Sequence, residues 1–254
     1  MSAIRPPGQT APAVLFLAGP PFDAALFRGV LERFGAGEAR SILDPGAPED
    51  GWRERAASLA NELAQRPTVL VAHGLAVPAA IAAALRTSPA ALVLSNGPLR
   101  RLDAFTAALT RACGSRPSAA LFERTALRPG PWLSWLASSA GLRRAVVNPY
   151  VMDRDTVASL CGPLVASAAG RHALASYVRS LAELPDPSAL RCPVLLLWGD
   201  GDPLYPAEEA AYVEAMLPQA EHRSVPGGQH VHVEERPWEM ADRLGAWLSD
   251  QGLR

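Results

Sequence analysis

Thr68-Val-Leu-Val-Ala-His-Gly-Leu-Ala-Val-Pro78, running on through alanines to Leu85, decides how the rest of this chain is read. Val69 to Ala72 is a short, solid apolar run, the pattern of a strand buried on both faces. Ala76 to Leu85 is a strong helix former with no polar interruption. His73-Gly74-Leu75 must therefore turn the chain sharply between them. A buried strand that passes through a tight turn into a buried helix is the repeating unit of a parallel sheet covered by helices.

The flanking sequence repeats that unit. After a lead-in over residues 1–12 that Pro6, Pro7, Gly8 and Pro12 make irregular, Ala13 to Ala18 reads as the first strong strand. Gly19-Pro20-Pro21 ends it, and Asp23 is placed to cap a helix running to about Phe34. Arg40 to Leu43 is a second short strand ending at Asp44-Pro45-Gly46, and Trp52 to Gln65 has helical spacing with Leu59 and Leu63 on one face. Ala90 to Leu94 is the next strand, closed by Ser95-Asn96-Gly97-Pro98.

From there to about Pro187 the strand signal vanishes into helix-like pieces punctuated by Pro117, Pro129-Gly130-Pro131, Pro149 and Gly162-Pro163. Pro193 to Trp198 then resumes the strand pattern, Ala207 to Leu217 a helix, Glu221 to Val225 a last strand and Pro237 to Leu248 a last amphipathic helix. The expectation is an α/β fold with a mostly parallel sheet and helices on both faces. Residues 1–97 and 188–254 would form its core, and residues 98–187 a helical cap over the C-terminal sheet edge, where open α/β folds bind ligands.

Composition narrows the field. A chain of 254 residues, 49% hydrophobic and 19% charged, can bury a sizeable core. A formal net charge of −1 gives no attraction for nucleic acid or an anionic membrane. The basic residues are all arginine, which with abundant alanine and proline points to a GC-rich coding sequence. Cys113, Cys161 and Cys192 are too few and too widely spaced for a disulfide or metal framework and read as reduced core residues, so a cytoplasmic setting is expected. No basic-then-apolar leader opens the sequence, and no run stays apolar long enough for a membrane span. No motif for a metal, nucleotide or flavin is present, so no cofactor is expected, and the expected partner is a small-molecule substrate. Oligomeric state is not legible.

With these elements in place, the chain resembles the α/β-hydrolase superfamily over nearly its whole length. Val194-Leu-Leu-Leu-Trp-Gly-Asp-Gly-Asp-Pro203 resembles the strand and turn that carry the family's acid, which would be Asp202. Pro226-Gly-Gly-Gln-His230, followed by Glu234-Glu-Arg-Pro237, resembles the loop carrying the family's histidine, which would be His230. The order elbow, acid, histidine also matches. The family's helical cap would follow its sixth-strand equivalent, here the strand at 90–94. The hairpin strands that precede the first central strand would be absent.

Two positions depart from the family pattern. In the nucleophile elbow, G-x-S-x-G, this chain reads Ala72-His73-Gly74-Leu75-Ala76, with Gly74 where the serine stands. In the loop after the first strand, Ala18-Gly19-Pro20-Pro21 puts a proline, which has no N–H, where a backbone donor to the oxyanion is usual. Leu75 N–H would supply the other donor, and losing one such donor costs about 10²–10³ in rate. The resemblance thus implies an intact acid–histidine pair beside impaired acyl-transfer parts. Such a pair still moves protons, worth about 10²–10⁴-fold.

Three readings follow. The first is a nucleophile-free enzyme in which His230, oriented by Asp202, performs lyase, cyclisation, isomerisation or water-mediated hydrolysis on a small, largely apolar, ring-bearing or polyketide-like substrate of secondary metabolism. The second is a non-catalytic relative that binds a ligand or partner. The third is an esterase with a relocated nucleophile such as Ser95, or with Gly74 engineered in. Ala18, Gly19, Pro20 and Leu75 would shape the pocket floor around Gly74. Ser95, Asn96 and His73 would border it, each with a plainer reading as loop capping or packing beneath the turn. Trp132, Trp135, Tyr150 and Tyr177 would form an aromatic wall, or else the cap's own small core. Asp44 reads as a turn residue, His172 as structural, His222 as solvated, and His232 as pointing away from the site.

Overall fold

The computed structural model describes residues 11–43 and 51–254. Asp44 and most of the proline-rich lead-in lie outside the described residues. Six strands form one sheet: β1 (Ala13–Ala18), β2 (Glu38–Ser41), β3 (Thr68–His73), β4 (Ala91–Ser95), β5 (Val194–Gly199) and β6 (Ala220–Val225). Their order is β2-β1-β3-β4-β5-β6, and every neighbouring pair is parallel. β3, β4 and β5 are buried along their whole length, as continuous apolar runs require. β2 and β6 lie at the edges, are polar and stay half exposed. No strand precedes β1 among the described residues.

The chain goes outward from β1 to β2, then returns past β1 to β3 and runs in the other direction thereafter. Right-handed crossovers therefore place α1 (Arg28–Phe34) on one face and α2 (Trp52–Leu63), α3 (Val77–Thr87) and α9 (Ala207–Met216) on the other. In α2 the buried residues Trp52, Arg55, Ala56, Leu59, Ala60 and Leu63 recur at helical spacing. α10 (His232–Glu235) and α11 (Pro237–Asp250) close the chain, α11 packing on α1.

Between β4 and β5 lie five helices and no strand: α4 (Ala104–Ala112), α5 (Arg116–Arg124), α6 (Pro129–Leu136), α7 (Arg154–Ala166) and α8 (Ala168–Ser180). Hydrogen bonds tie them to the sheet layer. The Tyr177 hydroxyl donates to Leu75 O at 2.7 Å, Trp52 N donates to Ser180 Oγ at 2.9 Å, and Asp23 N donates to Leu160 O at 2.7 Å. Cys113, Cys161 and Cys192 are buried and free. Among the described residues no helix is long and apolar enough to cross a membrane.

Candidate functional site

Strand register assembles the site. Ala18, His73 and Ser95 are register partners across β1, β3 and β4, so their chains leave the same sheet edge together. β3 turns into α3 at Gly74, whose φ of +61° favours a residue without a Cβ. A Cβ there would meet only His230, with Nε2 at 3.7 Å and Cε1 at 3.9 Å. A Cβ on Gly19 would instead collide with the backbone nitrogens of Leu75 and Ala76, so the loop after β1 lies directly against the turn.

The structure brings Asp202 and His230 together. His230 Nδ1 lies 3.0 Å from Asp202 Oδ2, and both side chains are buried. An ionised carboxylate only accepts, so Nδ1 carries the hydrogen and Nε2 offers its lone pair toward Gly74. Asp202 is fully engaged: Asn96 Nδ2 donates to Oδ2 at 2.7 Å and Leu204 N to Oδ1 at 2.7 Å. Burial alone would raise its pKa. The adjacent His230 and these hydrogen bonds outweigh burial and hold it below the usual carboxylate value. Asn96 is locked in turn, with Oδ1 accepting from Gly199 N at 2.8 Å, and its φ of +38° is one that asparagine tolerates better than most side chains.

Behind this pair lies a second polar group. His73 Nδ1 is 3.2 Å and His232 Nε2 3.0 Å from Ser95 Oγ, all three residues being buried. The His73 ring sits 5.1 Å from that of His230. Desolvation, and then the neighbouring imidazoles, push His73 well below the ordinary histidine value. Burial, with His230 next, lowers His232 to about 3. Both are neutral at pH 7.

His230 opens on a largely apolar cavity of about 80 Å³, room for a small molecule or several waters. Pro20, Pro21 and Leu75 form its sheet side; Phe105, Trp132 and Trp135 line it from the inserted helices. Phe105 stacks on Trp135 at 4.4 Å and Trp135 on Trp132 at 5.5 Å, so the cap side of the cavity is a column of aromatic rings. Tyr205 and Asp103 add polar groups, but the Tyr205 hydroxyl is spent on Asp103 Oδ2 at 3.1 Å and Asp103 Oδ1 caps α4.

Several expected pocket residues lie elsewhere. Tyr150 is 85% exposed on a turn that Asn148 caps, and it faces an outer depression rather than the cavity. Tyr177 is fully buried as a tie between α8 and the Gly74 turn. Ser95, Asn96, His73, Ala18 and Gly19 are buried off the cavity wall. Ser95, enclosed by two histidines, has no access to a substrate there. His232 faces away from the cavity, into this enclosed group. His172 is exposed and pairs with Glu123 at 3.1 Å. Tyr205, Asp103, Phe105 and Arg144 on the wall were not anticipated. A signal existed for two of them, since Asp103 stands as an N-cap before an apolar run and Phe105 begins that run.

The alpha/beta hydrolase family model matches residues 9–243, and the chain belongs to that family. Its fold is shared with MenH from S. aureus at a TM-score of 0.74 and 14% identity, over 97% of this chain and 96% of that one. A thermophilic esterase from Thermogutta terrifontis, solved with malate bound, matches at 0.70 and 22% identity over 95% and 91%. The haloalkane dehalogenase DbeA from Bradyrhizobium elkani matches at 0.70 and 19% identity over 96% and 92%. No curated protein matches the sequence. Among the described residues no group of three or more His, Cys, Asp or Glu side chains is placed to hold a metal ion.

Proposed function

We propose that this chain is a proton-transfer enzyme on the hydrolase scaffold, with His230 as general base, Asp202 as its orienting partner and no side-chain nucleophile at the turn. One observation carries the reading: His230 Nε2 faces open space over Gly74, beside an apolar cavity, with no hydroxyl between. A substrate C–H or O–H, or a water, can occupy that space within reach of the lone pair. The base takes the proton, the Asp202 carboxylate stabilises the imidazolium, and the proton returns to another substrate atom or to a leaving group. Isomerisation, cyclisation, elimination and hydrolysis by a bound water all fit that sequence. Leu75 N–H, in the first turn after β3, is the available donor for developing negative charge, and Pro20 offers none. The apolar, aromatic wall favours a small ring-bearing substrate, and the inserted helices serve as its cap.

A benzisoxazole probe tests this directly. A base removes its C3 proton, the ring N–O bond breaks, and a cyanophenolate leaves without any co-reactant. The wild-type chain is expected to accelerate this elimination about 10²–10⁴-fold over buffer, and His230→Ala to abolish the effect. Acyl esters and a fluorophosphonate serine probe are expected to give neither turnover nor label. Equal elimination rates in wild type and His230→Ala would defeat the proposal and leave the ligand-binding alternative, which the missing second oxyanion donor also accommodates.

A further inference from the structure

Arg144 is the one arginine that lines the cavity, at its border with the outer depression beside Tyr150, and it has no hydrogen bond or ion pair among the described residues. Its neighbour Arg143 is committed, donating to Met152 O at 3.2 Å. The other charged group on the wall, Asp103, is saturated by Tyr205 and the first turn of α4. The remaining wall is largely apolar and rich in aromatic rings. A guanidinium with no partner at one side of such a slot is matched by a planar anion that can take two parallel N–H bonds.

The backbone that carries Arg144 is held against the His230 loop. Val231 N donates to Ala145 O at 3.1 Å, so the residue after His230 is bonded to the residue after Arg144. Glu235, at the end of α10, accepts from Val147 N and Asn148 N, each at 3.0 Å. Three hydrogen bonds thus hold the Arg144 segment to the His230 loop.

Resting on the proton-transfer reading of this cavity, we infer that its substrates are aromatic or similarly flat apolar molecules bearing a carboxylate, and that Arg144 selects them by binding that carboxylate while His230 works on the body of the molecule. Arg144 itself is exposed, so the pair is partly screened and weakens with salt.

Calorimetric titration of benzoate and 2-naphthoate against benzamide and 2-naphthamide reads the carboxylate apart from the ring. The acids are expected to bind about 2–5-fold tighter than the amides, a margin that shrinks at high salt. Arg144→Gln is expected to bring that ratio to about one while leaving amide affinity unchanged, and Arg144→Lys to keep part of it. His230→Ala is expected to retain the ratio, so failure of the proton-transfer reading, seen in the benzisoxazole assay, would leave these binding ratios intact. Equal binding of acid and amide by the wild type, a preference that survives Arg144→Gln, or no saturable binding of either probe would each overturn the inference.

Discussion

Asn96 shows how much of the site rests on one amide. Its oxygen accepts from Gly199 N and its nitrogen donates to Asp202 Oδ2, so it fixes the carboxylate to the end of β5. Asn96→Gly keeps the left-handed backbone and removes only the side chain, which isolates those bonds. The expected loss is about 1–3 kcal/mol of stability, for a buried carboxylate and amide left short of partners. In the benzisoxazole assay the proposed mechanism requires kcat to fall with KM unchanged, because Asn96 would orient the base through Asp202 and lies off the cavity wall. An unaltered kcat would mean that Asp202 is held well enough by Leu204 and His230 alone. Asp202 and His230 were legible because each sits in a short linear motif. The role of Asn96 was not, because its partner lies 106 residues away and only strand pairing brings them together. Arg144 was hidden for the same reason: an arginine in a single short 3-10 turn carries no sign in the sequence of the cavity that packing sets beside it.

At the scale of elements, Tyr177 links the inserted helices to the turn at Gly74. Its phenol is fully buried and its hydroxyl donates to Leu75 O. Tyr177→Phe leaves a buried carbonyl without that donor at almost unchanged volume, so denaturant unfolding should report a loss of about 1 kcal/mol. The carbonyl belongs to the turn that also presents Leu75 N–H, and elimination by His230 should slow in the same variant. A stability loss with full activity would show that the tie supports the helices but not the turn. β1, β3, β4 and β5 could be placed within a residue or two because a strand buried on both faces leaves a continuous apolar run. β2 was displaced, expected at Arg40 to Leu43 and found at Glu38–Ser41, since an edge strand of polar residues carries no such run. Tyr150 was misplaced by the assumption that large aromatics bury; its turn, capped by Asn148 and opened by Pro149, holds it in solvent.

For the whole molecule, the buried pair His73 and His232 couples folding to pH. Both are held below the ordinary histidine value in the folded chain, chiefly by burial, and both regain a value near 6.5 on unfolding. The unfolded chain therefore binds more protons than the folded one as pH drops below about 6.5. The neutral pair contributes its full stability above that pH and loses it progressively toward the folded value, about 3 for His232. His232 alone gives a slope of about 1.4 kcal/mol per pH unit, so on the order of 2 kcal/mol is gone by pH 5, and His73 acts in the same direction, against a typical domain's 5–15 kcal/mol. Asp202, whose folded value is also depressed, acts in a separate window. Its contribution is complete above its unfolded value near 3.9 and is lost only below it. Unfolding in urea between pH 7 and pH 5 should show the steeper histidine slope. His232→Gln, which sets an amide where Nε2 meets Ser95 Oγ, should flatten that slope while leaving the protein folded at pH 7. A slope unchanged in this variant would place the acid sensitivity outside the enclosed histidines.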